Sequence, residues 1–324
     1  MRVVRRFRRP PSRGKTSTMP VERVPIDATR MELLANYLVR CPAAEKFYND
    51  QDFAWLGTAG SQATAEQGYR GPDPSNPWEP RIISTAYANS RVALTAVSEY
   101  ALAIARLITD PTLGPHGILG AEVCCRAAVE IGAHAYWLLD PGISAHDRVC
   151  RNLVAQLASS YEAENVGRAM QWRESVRELG ISPTTEELRR KYADLGLRVT
   201  GRLRENSLAV DGISQPSARS AISDLAAATP YAAYRRIVYN TLSATAHGTL
   251  YGLMRMFVST DEIEDGEPVV ERFADHRIIE AAAGLTMTSF IVVLRRAVEL
   301  MGWNDLKAIS LGNMMGHVLA TGPR

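Results

Sequence analysis

The sequence predicts an all-α protein: a multi-helix bundle carrying one small β-hairpin and a disordered basic N-terminal tail. Three observations predict it. Apolar residues recur at helical spacing over several long stretches that end at Pro or Gly. No strand alternates with helix in the manner of a parallel α/β sheet. One Asp-Gly pair, Asp265 and Gly266, stands between β-branched flanks and marks a hairpin. With 324 residues and 46% hydrophobic content the chain has material for a sizeable core.

In chain order, residues 1–25 form the tail and 26–324 a single helical domain. Residues 1–18 hold seven basic side chains (Arg2, Arg5, Arg6, Arg8, Arg9, Arg13, Lys15) and no acid. The net charge is +2, and without the tail 30 basic residues face 35 acidic ones, leaving a mildly acidic body. Such a tail reads as disorder or as an arm for an anionic partner such as RNA, and Met19 and Met31 are alternative starts. Asp27 is placed to cap ATRMELLANYLVR, which should stop near Cys41 and Pro42. Residues 57–81 are rich in Gly, Pro and Ser and form a long segment that Tyr69 and Trp78 should pin to the surface. A long core helix begins at Ser84 and ends before Pro111, and Ser144 caps another that runs past the core. Core helices occupy about 84–178 and 230–302, with a solvated helical excursion over about 160–228, where Thr184 or Thr185 begins a capping signature and SQPSA a turn.

The stretch Gly117–Leu139 organises the rest. Among its residues only Glu122, Arg126, Glu130 and His134 carry charge or nearly so, at a strict interval of four. Steps of four keep neighbours in contact on a helix of about 3.6 residues per turn. A helix apolar nearly all round is buried, here with one thin polar seam. A second seam follows Pro230, where Arg236, Asn240, Ser243 and His247 share one helical face. If the seams meet, Glu130 or Glu122 holds Arg236 while Arg126 and His247 face a ligand, with Glu130 beside His247. An ion-pair ladder without a ligand explains the same spacing.

Other chemistry is missing its signals. The four cysteines (Cys41, Cys124, Cys125, Cys150) form no CxxC and no metal-ligand spacing, so they read as reduced thiols of a cytoplasmic protein, with no metal and no cofactor expected. His116, His146, His276 and His317 read as loop or helix-end residues, and His134 as a core histidine. No run reaches the ~18 apolar residues of a membrane span; Ala281–Leu294 comes nearest. P-loop, dinucleotide fingerprint and nucleophile elbow are all absent.

The run from Arg126 and Glu130 into YWLLD, then DRVCRN with Arg151, then Y-x3-SATAHGT after a P-S-A-R segment, resembles uncharacterised bacterial helical proteins of the HEPN-like superfamily over roughly residues 84–260. The resemblance implies a helical bundle, frequently a homodimer, and in active members a metal-independent ribonuclease. There a histidine moves the proton of the 2′-hydroxyl, and an arginine that precedes it with four to six residues between them steadies the phosphorane. This chain departs from that spacing: the corresponding positions before His247 are Asn240, Thr241 and Leu242. The resemblance therefore implies a nucleic-acid-associated or defence-related module with weak or no ribonuclease activity, using His247, Arg126 and Glu130 for any catalysis and Arg236, Asn240, Ser243 and Arg151 for binding. Two alternatives stay open: a non-enzymatic homodimeric interaction protein, and an enzyme acting on a small molecule beneath the 57–81 segment.

Overall fold

The computed structural model describes residues 28–50, 57–113, 115–169, 184–201, 207–230, 232, 235–247, 257–264, 267–272, 276–306 and 308–313. The architecture is a helical bundle with two small antiparallel β elements. Helices α1 (Ala28–Leu38) and α2 (Arg40–Asp50) divide at Val39. Pro42 therefore does not stop a helix; it lies in the first turn of α2, where its missing N–H breaks no helical bond. Asp27 lies outside the described residues.

A short helix, α3 (Gln62–Glu66), interrupts the 57–80 segment, capped by Ser61 Oγ accepting from Thr64 N at 3.2 Å. The core helix α4 (Arg81–Thr109) starts three residues before Ser84 and stops ahead of Pro111. Next come α5 (Pro115–Leu138) and α6 (Ala145–Ala169), the latter opened by Ser144 Oγ accepting from Asp147 N at 3.1 Å.

The described part of the region expected to be a solvated helical excursion is not wholly helical, and it buries one apolar side. Helix α7 (Thr185–Asp194) begins with the capping box of Thr184 and Glu187. It leads into a three-stranded antiparallel sheet, β1 (Val199–Thr200), β2 (Ala209–Val210) and β3 (Ile213–Ser214), in that order. Ser217 then caps α8 (Ala218–Ala227). Leu188, Tyr192, Leu208, Val210, Ile222 and Leu225 are buried, and α7, β2 and β3 pack on α6. A balance of charges along a chain says little about burial when the few apolar residues fall on one side of each short element.

Helix α9 (Arg235–Ala246) is followed by the expected hairpin, β4 (Phe257–Glu264) and β5 (Glu267–Arg272), with Glu264 paired to Glu267 across a two-residue connection. Helix α10 (His276–Met301) closes the bundle. The central position of α5 is as the sequence predicts: it packs against α4, α10, α8 and α9. Gly132 permits this, since a Cβ there would lie 3.3 Å from Ser289 of α10, 3.7 Å from Val97 of α4 and 3.9 Å from Leu225 of α8. By length and composition alone α4 and α10 would suffice to cross a membrane, a correction to the sequence expectation. Most of the apolar part of α10 is nevertheless covered by its neighbours, and the buried hydroxyls of Thr286, Thr288 and Ser289 donate to carbonyls one turn back.

Candidate functional site

The α5 seam does lie against α9, and among the described residues Glu122, Arg126 and Glu130 find partners there. Glu122 is 1% exposed, and its Oε2 accepts from Thr245 Oγ1 at 3.0 Å. Arg126 donates from Nε to Glu130 Oε1 at 2.9 Å and from Nη1 to the Ser243 carbonyl at 3.4 Å, its side chain 14% exposed. From residue 122 to 126 the partners on α9 step back from 245 to 243, so the two helices run in opposite senses at this face. Glu130 thus stands ~12 Å along the axis from Glu122, whereas His247, two residues past Thr245, belongs to the Glu122 end.

The expected meeting of Glu130 and His247 does not occur. His247 and Asn240 are exposed, Ser243 contributes its backbone carbonyl, and the Arg236 side chain lies outside the described residues. Arg151, expected to bind a ligand, spans the end of α5. It donates to the Trp137 carbonyl, pairs with Asp140 Oδ2 at 3.5 Å and stacks 5.2 Å above the Trp137 ring. Burial lowers its guanidinium pKa, partly offset by Asp140.

A different group of residues converges under the 57–80 segment. That segment is anchored by a buried ion pair: Arg148 donates to Glu66 from Nε (2.8 Å) and Nη2 (3.3 Å), and to the carbonyls of Leu138 (2.7 Å) and Asp140 (3.0 Å). Tyr87 Oη also donates to Glu66, at 2.6 Å. Further along, Trp78 Nε1 donates to the Leu195 carbonyl at 2.9 Å, and the indole lies so close to Gly71 (φ +92°) that a Cβ there would sit 2.7 Å from the ring. Beneath this covering stands His146, in the first turn of α6. Its Nδ1 is 2.9 Å from Tyr69 Oη, and its ring centroid is 5.8 Å from that of Trp78. Its Nε2 is 3.1 Å from Asp211 Oδ2 and 3.5 Å from Cys150 Sγ, one helical turn further on.

Asp211 reaches this point because Asp211 (φ +47°) and Gly212 (φ +81°) form the left-handed turn joining β2 to β3. Asp tolerates that conformation better than most side chains. The other carboxylate oxygen, Oδ1, accepts from Arg198 N at 2.7 Å, which fixes the rotamer. Cys150 is fully buried, while the side chains of His146 and Asp211 are 26% and 25% exposed. Burial, reinforced by Asp211 and Asp147, pushes the Cys150 thiol up to about 12. Burial raises the Tyr69 hydroxyl, with Cys150, Asp147 and Asp211 adding to it.

The chemistry available follows from which ring nitrogen each group meets. A nucleophile–histidine–acid relay needs nucleophile and acid on opposite nitrogens; here thiol and carboxylate share Nε2, and a thiol held protonated is a poor nucleophile. What remains is three donor atoms of different type within 4.8 Å of one another, the described residues able to hold a metal ion. Cysteine spacing, from which no metal-ligating set was expected, does not display this group, because it draws on a histidine one turn away and on a distant turn. His146 and Cys150 were visible as an i,i+4 pair, and Asp211-Gly212 carries the same turn signal as Asp265-Gly266. No sequence spacing links either to Tyr69. Comparison with protein-family models, with curated proteins and with solved structures finds no match to this chain, so its functional reading rests on this geometry.

Proposed function

We propose that the protein is a HEPN-like helical module that engages RNA without cutting it, the α5–α9 face serving to hold the bundle together. The observation that carries this reading is the state of Arg126. A guanidinium that steadies a phosphorane must be aimed at the substrate beside the histidine, whereas Arg126 is held on the α5–α9 face by its Nε–H to Glu130 and an Nη1–H to the Ser243 carbonyl, and no described contact joins it to His247. The basic arm of residues 1–18 supplies the affinity for phosphate. If all seven of its cations neutralise phosphates, log Kd for single-stranded RNA changes with log salt at a slope of magnitude about 5, since each contact contributes about 0.7.

The test is retention of labelled single-stranded RNA by the full chain and by the chain from residue 28, with cleavage followed in parallel for His247→Ala. Salt-dependent retention that needs the arm, with no cleavage sensitive to His247, supports the reading. Cleavage abolished by His247→Ala overturns it. Absence of retention together with dimeric sizing moves the assignment to the homodimeric interaction protein. A second reading, small-molecule chemistry beneath the 57–80 segment, is favoured by the meeting of Tyr69, Cys150 and Asp211 on His146. Compounds that raise the melting temperature of the parent but not of His146→Ala support it.

A further inference from the structure

Nitrogen, sulfur and oxygen donors, each from a side chain held by its own local structure, meet at one edge of the His146 ring. We propose that His146 Nε2, Cys150 Sγ and Asp211 Oδ2 bind a zinc-like divalent transition metal, with the fourth coordination position open to a ligand from solvent. This inference rests on the second reading above, that the working site lies beneath the 57–80 segment, and is independent of the α5–α9 face.

Spacing is the first support. Tetrahedral zinc with Zn–N near 2.05 Å, Zn–O near 2.0 Å and Zn–S near 2.3 Å places N and O about 3.3 Å apart and N and S about 3.6 Å apart. The distances here are 3.1 Å and 3.5 Å. Donor chemistry is the second. One thiolate, one imidazole and one carboxylate suit zinc and its transition-metal neighbours, not calcium or magnesium, which take oxygen ligands.

Charge balance is the third. As the Sγ–metal bond forms, the thiol proton leaves to solvent, and a dication with one thiolate and one carboxylate is neutral. Neutrality suits a site in which the sulfur is fully buried. The orientation of the imidazole is the fourth. A ligating histidine usually hands its other N–H to an acceptor that fixes the tautomer, and Tyr69 Oη stands 2.9 Å from Nδ1 to accept it. His146 and Asp211 remain about a quarter exposed, which leaves an approach for the ion and for a fourth ligand.

The experiment uses the full chain, stripped with chelator under reducing conditions, reloaded with zinc and dialysed, with metal content read by mass spectrometry. Cobalt(II) substitution reads the ligand set by absorption. The expected result is one zinc per chain, a thiolate-to-cobalt charge-transfer band, loss of both in Cys150→Ser and His146→Ala, and full retention in Cys124→Ser. Should those variants fail to fold, Tyr69→Phe and Asp211→Asn keep the question open to decision. Tyr69→Phe should weaken zinc binding by about 10- to 100-fold, and Asp211→Asn, on an exposed turn that asparagine also favours, should weaken it as well.

Zinc retained by His146→Ala, cobalt bound without the thiolate band, or a parent chain that holds no zinc overturns the inference. A parent without zinc whose stabilising compounds still depend on His146 leaves the small-molecule reading standing. A parent in which neither zinc nor any compound depends on His146 removes both.

Discussion

Two clusters of polar residues in this bundle meet opposite fates. On the α5–α9 face, Glu122, Arg126 and Glu130 come from successive turns of one helix, and they are satisfied by one another and by the Thr245 hydroxyl and Ser243 carbonyl. Beneath the 57–80 segment, Tyr69, His146, Cys150 and Asp211 come from three separate parts of the chain and direct their donors at one ring. Regular spacing along a helix brings charges within reach of each other, and such groups tend to neutralise each other locally. Convergence from distant segments is harder to obtain by chance and leaves donor atoms aimed at a common point. The first pattern is the conspicuous one in a sequence, and the second is the better indicator of a site.

This contrast can be broken most strongly at the buried ion pair that anchors the 57–80 segment. Arg148→Met removes the partner of buried Glu66 and of the Leu138 and Asp140 carbonyls. Losing one half of a buried pair costs about 3–5 kcal/mol, so the urea midpoint should fall sharply and proteolysis within 57–80 should accelerate. An unchanged midpoint would mean that this segment is not held by the pair.

A smaller effect sharpens the other side. His134, on α5 near Trp137, has its imidazole pKa lowered by burial. The unfolded chain then takes up this proton before the folded one. The stability that His134 contributes is present above its unfolded pKa of about 6.5 and is lost as pH falls, at no more than about 1.4 kcal/mol per pH unit. Unfolding free energies measured from pH 7 to pH 5 should decline less steeply in His134→Asn than in the parent. Parallel curves would show that the group is not buried neutral in solution.

Much of the bundle was legible because its signals are local. The apolar character of Gly117–Leu139, the caps at Ser144 and Thr184 and the hairpin signal that the structure answers with the β4–β5 pairing each depend on neighbours a few residues apart. The β1–β3 sheet escaped notice because two-residue strands are too short to show alternation. Its Asp211-Gly212 turn, between Val210 and Ile213, carries the same signal as the later pair but joins strands of only two residues each. At the candidate site, half of the constellation, His146 and Cys150, was visible as an i,i+4 pair. The other half was not, because Tyr69 and Asp211 reach it through the docking of the 57–80 segment and of the small sheet onto α6, which no periodicity encodes. The α5–α9 seam misled in the opposite way: adjacency of the two helices follows from their polar faces, but their opposite senses, which separate Glu130 from His247, do not.

On the reading proposed above, Glu122, Arg126 and Glu130 are spent on holding α5 to α9 and are not kept for a ligand. This claim is tested most directly by the unfolding free energy of Arg126→Gln in urea. A structural arginine predicts a loss of about 1.5–3 kcal/mol, the usual worth of hydrogen bonds to charged groups, because half-buried Glu130 and the Ser243 carbonyl lose their partner. A variant as stable as the parent would contradict the claim and return Arg126 to the residues free to meet a substrate.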